Sequence, residues 1–167
     1  MAQSILITND AAFAAKVDAA VTAALALLPR KEIAEASWND YGAIVVVAHL
    51  ADAALLANRI APEHLELAVA DPDALLPHIR HAGAIFVGHY ASESIGDYCA
   101  GPNHVLPTGR TARFSSPLSV QDFEKRSSIL RISKAAAQTL GPVAATLAHG
   151  EGLTAHAMSA EARIVKP

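Results

Sequence analysis

The stretch Ala43-Ile44-Val45-Val46-Val47-Ala48 decides the fold class, because it is apolar at every position and rich in β-branched residues. A strand that faces solvent on one side alternates apolar and polar residues, whereas a strand covered on both faces is apolar throughout. Both faces are covered in parallel sheets, where helices pack on either side. The stretch therefore predicts a buried strand in a mostly parallel α/β sheet.

Segments of alternating type flank this strand, as expected for a layered α/β fold. The apolar patterns predict further strands at 4–8, 66–69 and 84–88, and helices at 10–28, 31–36, 51–60 and 73–81. Asn9 or Asp10 is expected to cap the first helix, and Pro29 to stop it. We therefore predict a mostly parallel layered sheet, resembling an incomplete Rossmann-like half.

The pattern changes after Gly88. The segment from Ser94 to Thr108 contains several Gly and Pro residues, and we predict a loop there that carries a site rather than core residues. Beyond it, the sequence predicts a short helix at 120–127, a brief edge strand at 129–132 and two helices at 134–149 and 152–163. We thus expect an α/β sheet domain at 1–117 and a C-terminal helical extension at 118–167.

Composition narrows the classes of function. The net charge is −3 and Lys and Arg form no cluster, which argues against a nucleic-acid partner. No apolar run approaches the roughly 18 residues that span a membrane, and the N-terminus lacks secretory features, so we expect a cytoplasmic protein. The single Cys99 excludes an internal disulfide. With 52% apolar and 17% charged residues, we expect surface that is buried against other protein.

Two pairs of side chains in the first domain are able to do chemistry. Glu63 and His64 follow Pro62; a histidine can move protons near neutral pH and a carboxylate can activate water, although a solvated Glu-His turn is the more ordinary explanation. Asp97 and His104 offer an oxygen and a nitrogen ligand, a mixture that suits zinc. The alternatives are that Asp97 caps its own turn and that His104 bonds a buried carbonyl.

A third pair, Glu151 and His156, lies near the C-terminus. His156 is predicted on the packed face of the last helix with Leu153, Ala157 and Ala160, where a histidine is more often a hydrogen-bonded core residue than a ligand. Glu151 lies ~140° from it on an ideal helix, so the two share a site only if Glu151 occupies the helix cap. The other histidines lie at the ends of predicted elements and are assigned no catalytic role: His49, His78, His81, His89 and His149.

Four segments resemble histidinol dehydrogenase, in that family's order and spacing, and the resemblance covers essentially the whole chain. They are Asn58-Arg-Ile-Ala-Pro-Glu-His-Leu-Glu-Leu67, Gly96-Asp-Tyr-Cys-Ala-Gly-Pro-Asn-His-Val-Leu-Pro-Thr108, Leu118-Ser-Val-Gln-Asp-Phe-Glu-Lys-Arg-Ser127 and Glu151-Gly-Leu-Thr-Ala-His156. The resemblance implies a zinc-dependent, NAD-linked enzyme of histidine biosynthesis. Such an enzyme oxidises L-histidinol to the aldehyde and then to L-histidine, using two NAD⁺.

The resemblance also implies a role for each candidate residue. His64 matches the general base of both oxidations, and Glu63 matches the carboxylate that activates water to hydrate the aldehyde. Asp97 and His156 match two zinc ligands. The implied substrate site comprises Glu63, His64, Asp97, His104, Glu151 and His156. No G-x-G-x-x-G follows any predicted strand, so the residues that bind the cofactor stay unknown.

Members of this family are more than twice as long, and the resemblance is to their C-terminal part. A Gln and a His that complete the zinc site, and most of the nucleotide-binding domain, would precede it. Two protein ligands hold zinc weakly, so we expect the isolated chain to be inactive or nearly so without the N-terminal half. Because family members are intertwined dimers, we expect a homodimer in which Glu151 and His156 act across the interface.

Two other functions stay open. One is a non-catalytic oligomerisation or ligand-binding module that retains the family's fold, which predicts stable dimers and no bound zinc. The other is an independent metallohydrolase that uses Asp97, His104 and His156, which predicts stoichiometric zinc in the purified chain.

Overall fold

The computed structural model describes residues 2–165. The chain divides into two compact units, Met1–Phe123 and Glu124–Pro167. The first unit contains all the strands of the described residues, and the second is helical. The mostly parallel α/β class expected from the sequence is confirmed, and the strands form two small sheets of two strands each.

The first sheet pairs β1 (Ile5–Thr8) with β2 (Ala43–Val46) in parallel, with Ile5 opposite Ala43. The connection between them consists of α1 (Ala11–Leu25) and α2 (Lys31–Tyr41). Asp10 caps α1, because its Oδ1 accepts the backbone N–H groups of Ala12 at 2.8 Å and Phe13 at 3.0 Å. α1 therefore begins where the sequence predicted, and it ends at Leu25, three residues before the predicted end.

The second sheet pairs β3 (His64–Leu67) with β4 (Ala84–Val87), again in parallel. Before it comes α3 (Leu50–Ile60), and between its strands lie α4 (Pro72–Leu75) and a 3₁₀ turn at Leu76–His78. The helix predicted at 73–81 is therefore wrong in length. Pro77 lies within this turn, and a proline supplies no N–H for a continuing α-helix.

The predicted loop after β4 begins with a helix, α5 (Glu93–Cys99), so the expectation of a loop over 94–99 is wrong. Ser92 caps α5 by accepting the N–H of Ile95. Further along lie 3₁₀ turns at Thr111–Arg113 and Val120–Phe123, the latter shorter than the helix predicted at 120–127. A loop connects α5 to these turns. Within it, Asn103 Oδ1 accepts the N–H of Val105 at 2.9 Å.

The second unit is a helical hairpin of α6 (Lys134–Gly150) and α7 (Thr154–Glu161). A hydrogen bond of 2.9 Å between His149 Nε2 and Glu161 Oε1 joins the two helices near the turn. At the opposite end, Gln138 Nε2 donates to the carbonyl of Arg163 at 3.0 Å. The edge strand predicted at 129–132 is absent, because no described segment pairs with it.

Few large side chains are buried in the described residues. The buried apolar residues are mostly alanines, with Leu67 and Phe86 the largest of them. Many large apolar side chains are exposed, including Leu27, Leu55, Tyr98, Phe114 and Phe123. Such extensive apolar exposure is typical of surfaces that contact further protein. No helix among residues 2–165 combines the length and apolar character needed to cross a bilayer.

Candidate functional site

The site is built where β3 faces α5. His64 is the first residue of β3, and Asp97 lies 33 residues later in α5. His64 Nε2 and Asp97 Oδ2 are 3.0 Å apart, a hydrogen-bonding distance. Only 25% of the His64 side chain and 15% of the Asp97 side chain are exposed. The structure thus places a partly buried imidazole against a carboxylate, the arrangement that fixes a histidine for proton transfer.

Phe86 of β4 forms the floor of this arrangement. Its ring lies 5.9 Å from the His64 ring, with 35° between the two planes, and only 9% of the residue is exposed. Gly96 of α5 lies directly over the same ring, and a Cβ at Gly96 would come within 2.9 Å of Phe86 Cδ1. The absence of a side chain at Gly96 therefore lets α5 approach β4 closely enough for Asp97 to reach His64.

Glu93 is a functional candidate that sequence reasoning missed. It precedes Asp97 by four residues in α5, so both carboxylates lie on one face of the helix. Ligand atoms of His64, Glu93 and Asp97 all lie within 4.8 Å of one another. The spacing of Glu93 and Asp97 would have indicated this cluster only if the segment had been recognised as a helix.

The donor set of this cluster fits zinc. One imidazole nitrogen and two carboxylate oxygens are ligands that zinc accepts, and catalytic zinc sites use three protein ligands and keep one position open. A histidine that donates its lone pair to a metal cannot use the same nitrogen as a base. If His64 moves protons, Asp97 and Glu93 are therefore the two groups of this cluster that are left to hold zinc.

The cluster borders a cleft of about 550 Å³. Its walls come from β4, from α5 and from the loop that follows, and they include Phe86, Asp97, Asn103 and Leu106. Largely apolar walls with a few polar groups are typical of sites for small molecules. The cleft thus gives a small ligand access to Asp97.

The other two predicted residues of the first unit stay outside this cluster. The side chain of Glu63 is half-buried, and its carbonyl accepts the N–H of Ala84 at 2.8 Å, which secures the start of β3 beside β4. His104 is exposed in the loop after α5. Among the described residues, neither belongs to the group of ligand atoms around Asp97.

Glu151 and His156 lie in the second unit. Glu151 is the C-cap residue of α6 and lies outside the regular turns of α7. Glu151 needs such a position if it is to share a site with His156. His156 lies in α7 and is exposed, so its predicted place on a packed face is wrong. The buried position of α7 is its neighbour Ala157. Both side chains are thus open to a ligand or to further protein.

Comparisons with known proteins agree on one family. The sequence model described as histidinol dehydrogenase matches residues 1–164. Histidinol dehydrogenase from Dechloromonas aromatica is 60% identical over 164 residues, which make up 98% of this chain and 38% of the relative. Its counterpart from Chromobacterium violaceum is 61% identical over 164 residues, again 98% and 38% of the two chains.

A solved structure gives the same result for the fold. The crystal structure of histidinol dehydrogenase from Elizabethkingia anophelis is similar to this chain with a TM-score of 0.81 and 34% identity. The match covers 96% of this chain and 37% of that one. The chain thus spans less than two fifths of the length of the relatives that it matches.

Proposed function

This chain belongs to the histidinol dehydrogenase family, and from that premise we propose that it supplies part of the active site of an enzyme that oxidises L-histidinol to L-histidine by way of histidinal. The observation that carries the proposal is the 3.0 Å contact between His64 Nε2 and Asp97 Oδ2 beside the Glu93 carboxylate. It joins a partly buried proton carrier and a partly buried carboxylate to the exposed carboxylate of Glu93, and the two carboxylates are suited to a metal.

In this proposal His64 is the general base of both oxidation steps. Its ring is oriented by Asp97 on one side and by the Phe86 ring beneath it. When the imidazole takes a proton from the substrate's hydroxyl group, the resulting positive charge is stabilised by the adjacent carboxylate of Asp97. Because the His64 ring is already oriented, less conformational entropy is lost when the reactive geometry is reached.

The remaining candidates are proposed to bind substrate or water. Glu63 is proposed to activate the water that hydrates the aldehyde between the two oxidations. His104 and Glu151 are proposed to hold the substrate, and Asp97 and His156 to hold zinc. In a homodimer, Glu151 and His156 would be supplied by the partner subunit, for which their exposure in the second unit leaves them free.

Zinc, when bound, supplies a Lewis acid, and NAD⁺, when bound, supplies the hydride acceptor. The carboxylate oxygens of Asp97 and Glu93 are suitable ligands for zinc. No sequence of the type G-x-G-x-x-G lies in this chain, and we assign the nucleotide to no residue here. The proton chemistry of His64 and the holding of the substrate by His104 and Glu151 are the contributions we propose for this chain.

We propose that the chain needs the segments that its relatives possess beyond the match, and that alone it turns over histidinol slowly or not at all. A chimera tests this, in which the chain replaces the matching segment of the Dechloromonas aromatica relative. Formation of NADH from histidinol is measured for the chimera, for the chain alone and for the chain mixed with the rest of the relative. Turnover by the chimera and not by the chain supports the proposal, and an inactive folded chimera contradicts it.

Substitution of His64 then tests the assigned chemistry. We expect His64→Ala to lower kcat of the chimera by about 10²- to 10⁴-fold, the range for loss of a general base. His78→Ala is the matched control, because His78 is an exposed histidine of the same unit. A His64→Ala chimera that keeps the kcat of the control would remove His64 from the reaction.

The exposed apolar surface of both units favours a second candidate, an oligomerisation module without catalysis. This function predicts a stable oligomer of the chain alone and no retained zinc. Mass in solution and metal content of the purified chain distinguish the two. An oligomer without zinc, together with an inactive chimera, would favour the module.

A further inference from the structure

Two polar residues of β3 point to the same helix. His64 and Glu66 are two positions apart in a strand, so their side chains lie on the same face. His64 meets the side chain of Asp97 in α5. Glu66 Oε1 accepts the backbone N–H of Glu93, the first residue of α5, at 2.8 Å. β3 therefore holds α5 at two points, one turn of helix apart.

We propose that Glu66 is a positioning residue of the site. Its carboxylate fixes the first turn of α5, so that Glu93 and Asp97 stand at their observed distances from His64. The effect of Glu66 on turnover rests on the proposed function, whereas its effect on metal binding rests only on the donor set of Asp97 and Glu93. Glu66 itself is outside the group of mutually close ligand atoms among the described residues.

The need for such a residue follows from the length of α5. It has seven residues, and helices this short are unstable in isolation. Their first N–H groups also lack partners within the helix. The local cap is weak, since Ser92 Oγ lies 3.4 Å from the N–H of Ile95. The bond from Glu66 is shorter and involves a carboxylate, which makes it the stronger of the two.

The position of the hydrogen-bond acceptor in the chain determines which movement of α5 the bond restrains. Ser92 adjoins α5 in the chain and moves with it, whereas Glu66 belongs to the strand that carries His64. A bond from Glu66 therefore fixes α5 relative to His64, and not merely the helical state of α5. The close contact of Gly96 with Phe86 limits the distance between α5 and β4. It is an apolar contact without the direction of a hydrogen bond.

The test uses the chimera described above and the chain alone, with Glu66→Ala, Glu66→Gln and a control, Glu32→Ala. Glu32 is an exposed glutamate of α2, on the side of the other sheet. Zinc affinity is measured by competition with a chelating dye, and kcat and KM are measured where turnover occurs. The amide exchange rate of Glu93 reports on the bond itself.

We expect Glu66→Ala to weaken zinc binding by about 10-fold, the lower end of what loss of a supporting partner costs a metal site. Glu66→Gln keeps an oxygen acceptor of the same length, so we expect it to restore most of the affinity and the slow exchange at Glu93. Glu32→Ala should match the unsubstituted protein. If kcat falls while KM for histidinol stays near its original value, the substitution disturbs the geometry around His64 and not the binding of substrate.

Three results would overturn the proposal. One is a zinc affinity of Glu66→Ala equal to that of Glu32→Ala. Another is zinc binding by Glu66→Gln as weak as that by Glu66→Ala, which would make the charge and not the bond responsible. If Glu66→Ala does not fold, Glu66→Asp replaces it, because this variant keeps the charge but is one methylene too short. Unchanged zinc affinity in Glu66→Asp would also refute the proposal. An inactive unsubstituted chimera would contradict the proposed function and leave the zinc comparison intact.

Discussion

The two sheets of the first unit have the same architecture and different chemistry. Each consists of two parallel strands of four residues with helical segments between them. β1 is Ile-Leu-Ile-Thr and β2 is Ala-Ile-Val-Val, whereas β3 is His-Leu-Glu-Leu. A single face of β3 therefore carries both polar residues that contact α5. The shared topology thus supplies a frame, and two polar positions on one strand turn that frame into a candidate site.

The two sheets also differ in the side chains that they bury. In the β3–β4 sheet, Leu67 and Phe86 are buried, and the rings of Phe86 and His64 are neighbours. In the β1–β2 sheet, the only buried strand residue is Thr8, whose Oγ1 accepts the N–H of Asp10. Structural changes in the β3–β4 sheet should therefore reach the site, and equivalent changes in the β1–β2 sheet should affect stability alone.

The largest difference is expected for Phe86→Ala compared with Ile44→Ala. Removal of a buried phenylalanine costs about 3 kcal/mol or more, and a half-buried isoleucine costs less. Urea unfolding followed by fluorescence of Trp38, the single tryptophan, measures both. Phe86→Ala should also abolish most zinc binding, because α5, which packs on this ring at Gly96, then no longer holds Asp97 and Glu93 in place.

The comparison of the sheets would fail if Ile44→Ala weakened zinc binding as much as Phe86→Ala. In that case the two sheets would act as one cooperative structure, and the site would not depend on the β3–β4 sheet in particular.

Glycine substitutions give the next largest difference. A Cβ at Gly96 would collide with Phe86, and a Cβ at Gly42 would lie 2.5 Å from both the ring and the carbonyl of Trp38. Overpacking of this kind costs about 1–3 kcal/mol, so Gly96→Ala and Gly42→Ala should lower the free energy of unfolding by similar amounts. Only Gly96→Ala should weaken zinc binding, because only it displaces Asp97. Equal zinc affinity in the two variants would contradict this account.

The sequence allowed prediction of the frame better than of the site. The apolar runs located β1, β2 and β4 closely. The predicted burial on both faces is wrong among the described residues, because Val46 of β2 and Ile85 and Val87 of β4 are exposed. β3 was predicted at 66–69 and lies at His64–Leu67, since its polar residues conceal the start of the strand. α5 was missed because Gly96 is untypical of helices. Both errors fall at the site, where residues serve contacts rather than local propensity.

The pairing of side chains was beyond sequence reasoning altogether. His64 and Asp97 were both candidates, but they are 33 residues apart and their contact depends on how α5 packs against the sheet. The bond from Glu66 to Glu93 likewise spans 27 residues. Local patterns carry no information on such distances, whereas the family resemblance identified the residues without their geometry.

A smaller effect is expected for Glu93→Gln, with Asp73→Asn as its control. Both are acidic residues in the first turn of a short helix, so both changes remove a favourable interaction with the helix dipole, about 0.3–1 kcal/mol. Glu93→Gln should in addition weaken zinc binding several-fold, since an amide oxygen carries no charge to hold the metal. Zinc competition measurements on both variants check this, and equal affinities would exclude Glu93 from the metal centre.

The smallest effect is expected at the helix caps, and it separates local from long-range support. Asp10 makes two short bonds to the start of α1, and Ser92 makes one long bond to α5. Loss of a cap costs about 0.5–2 kcal/mol, so we expect Asp10→Ala to cost about 1 kcal/mol and Ser92→Ala about 0.5 kcal/mol in urea unfolding. α1 depends on its own cap, whereas α5 is also held by Glu66. If Ser92→Ala cost as much as Asp10→Ala, α5 would depend on its cap after all, and the strand would not be its main support.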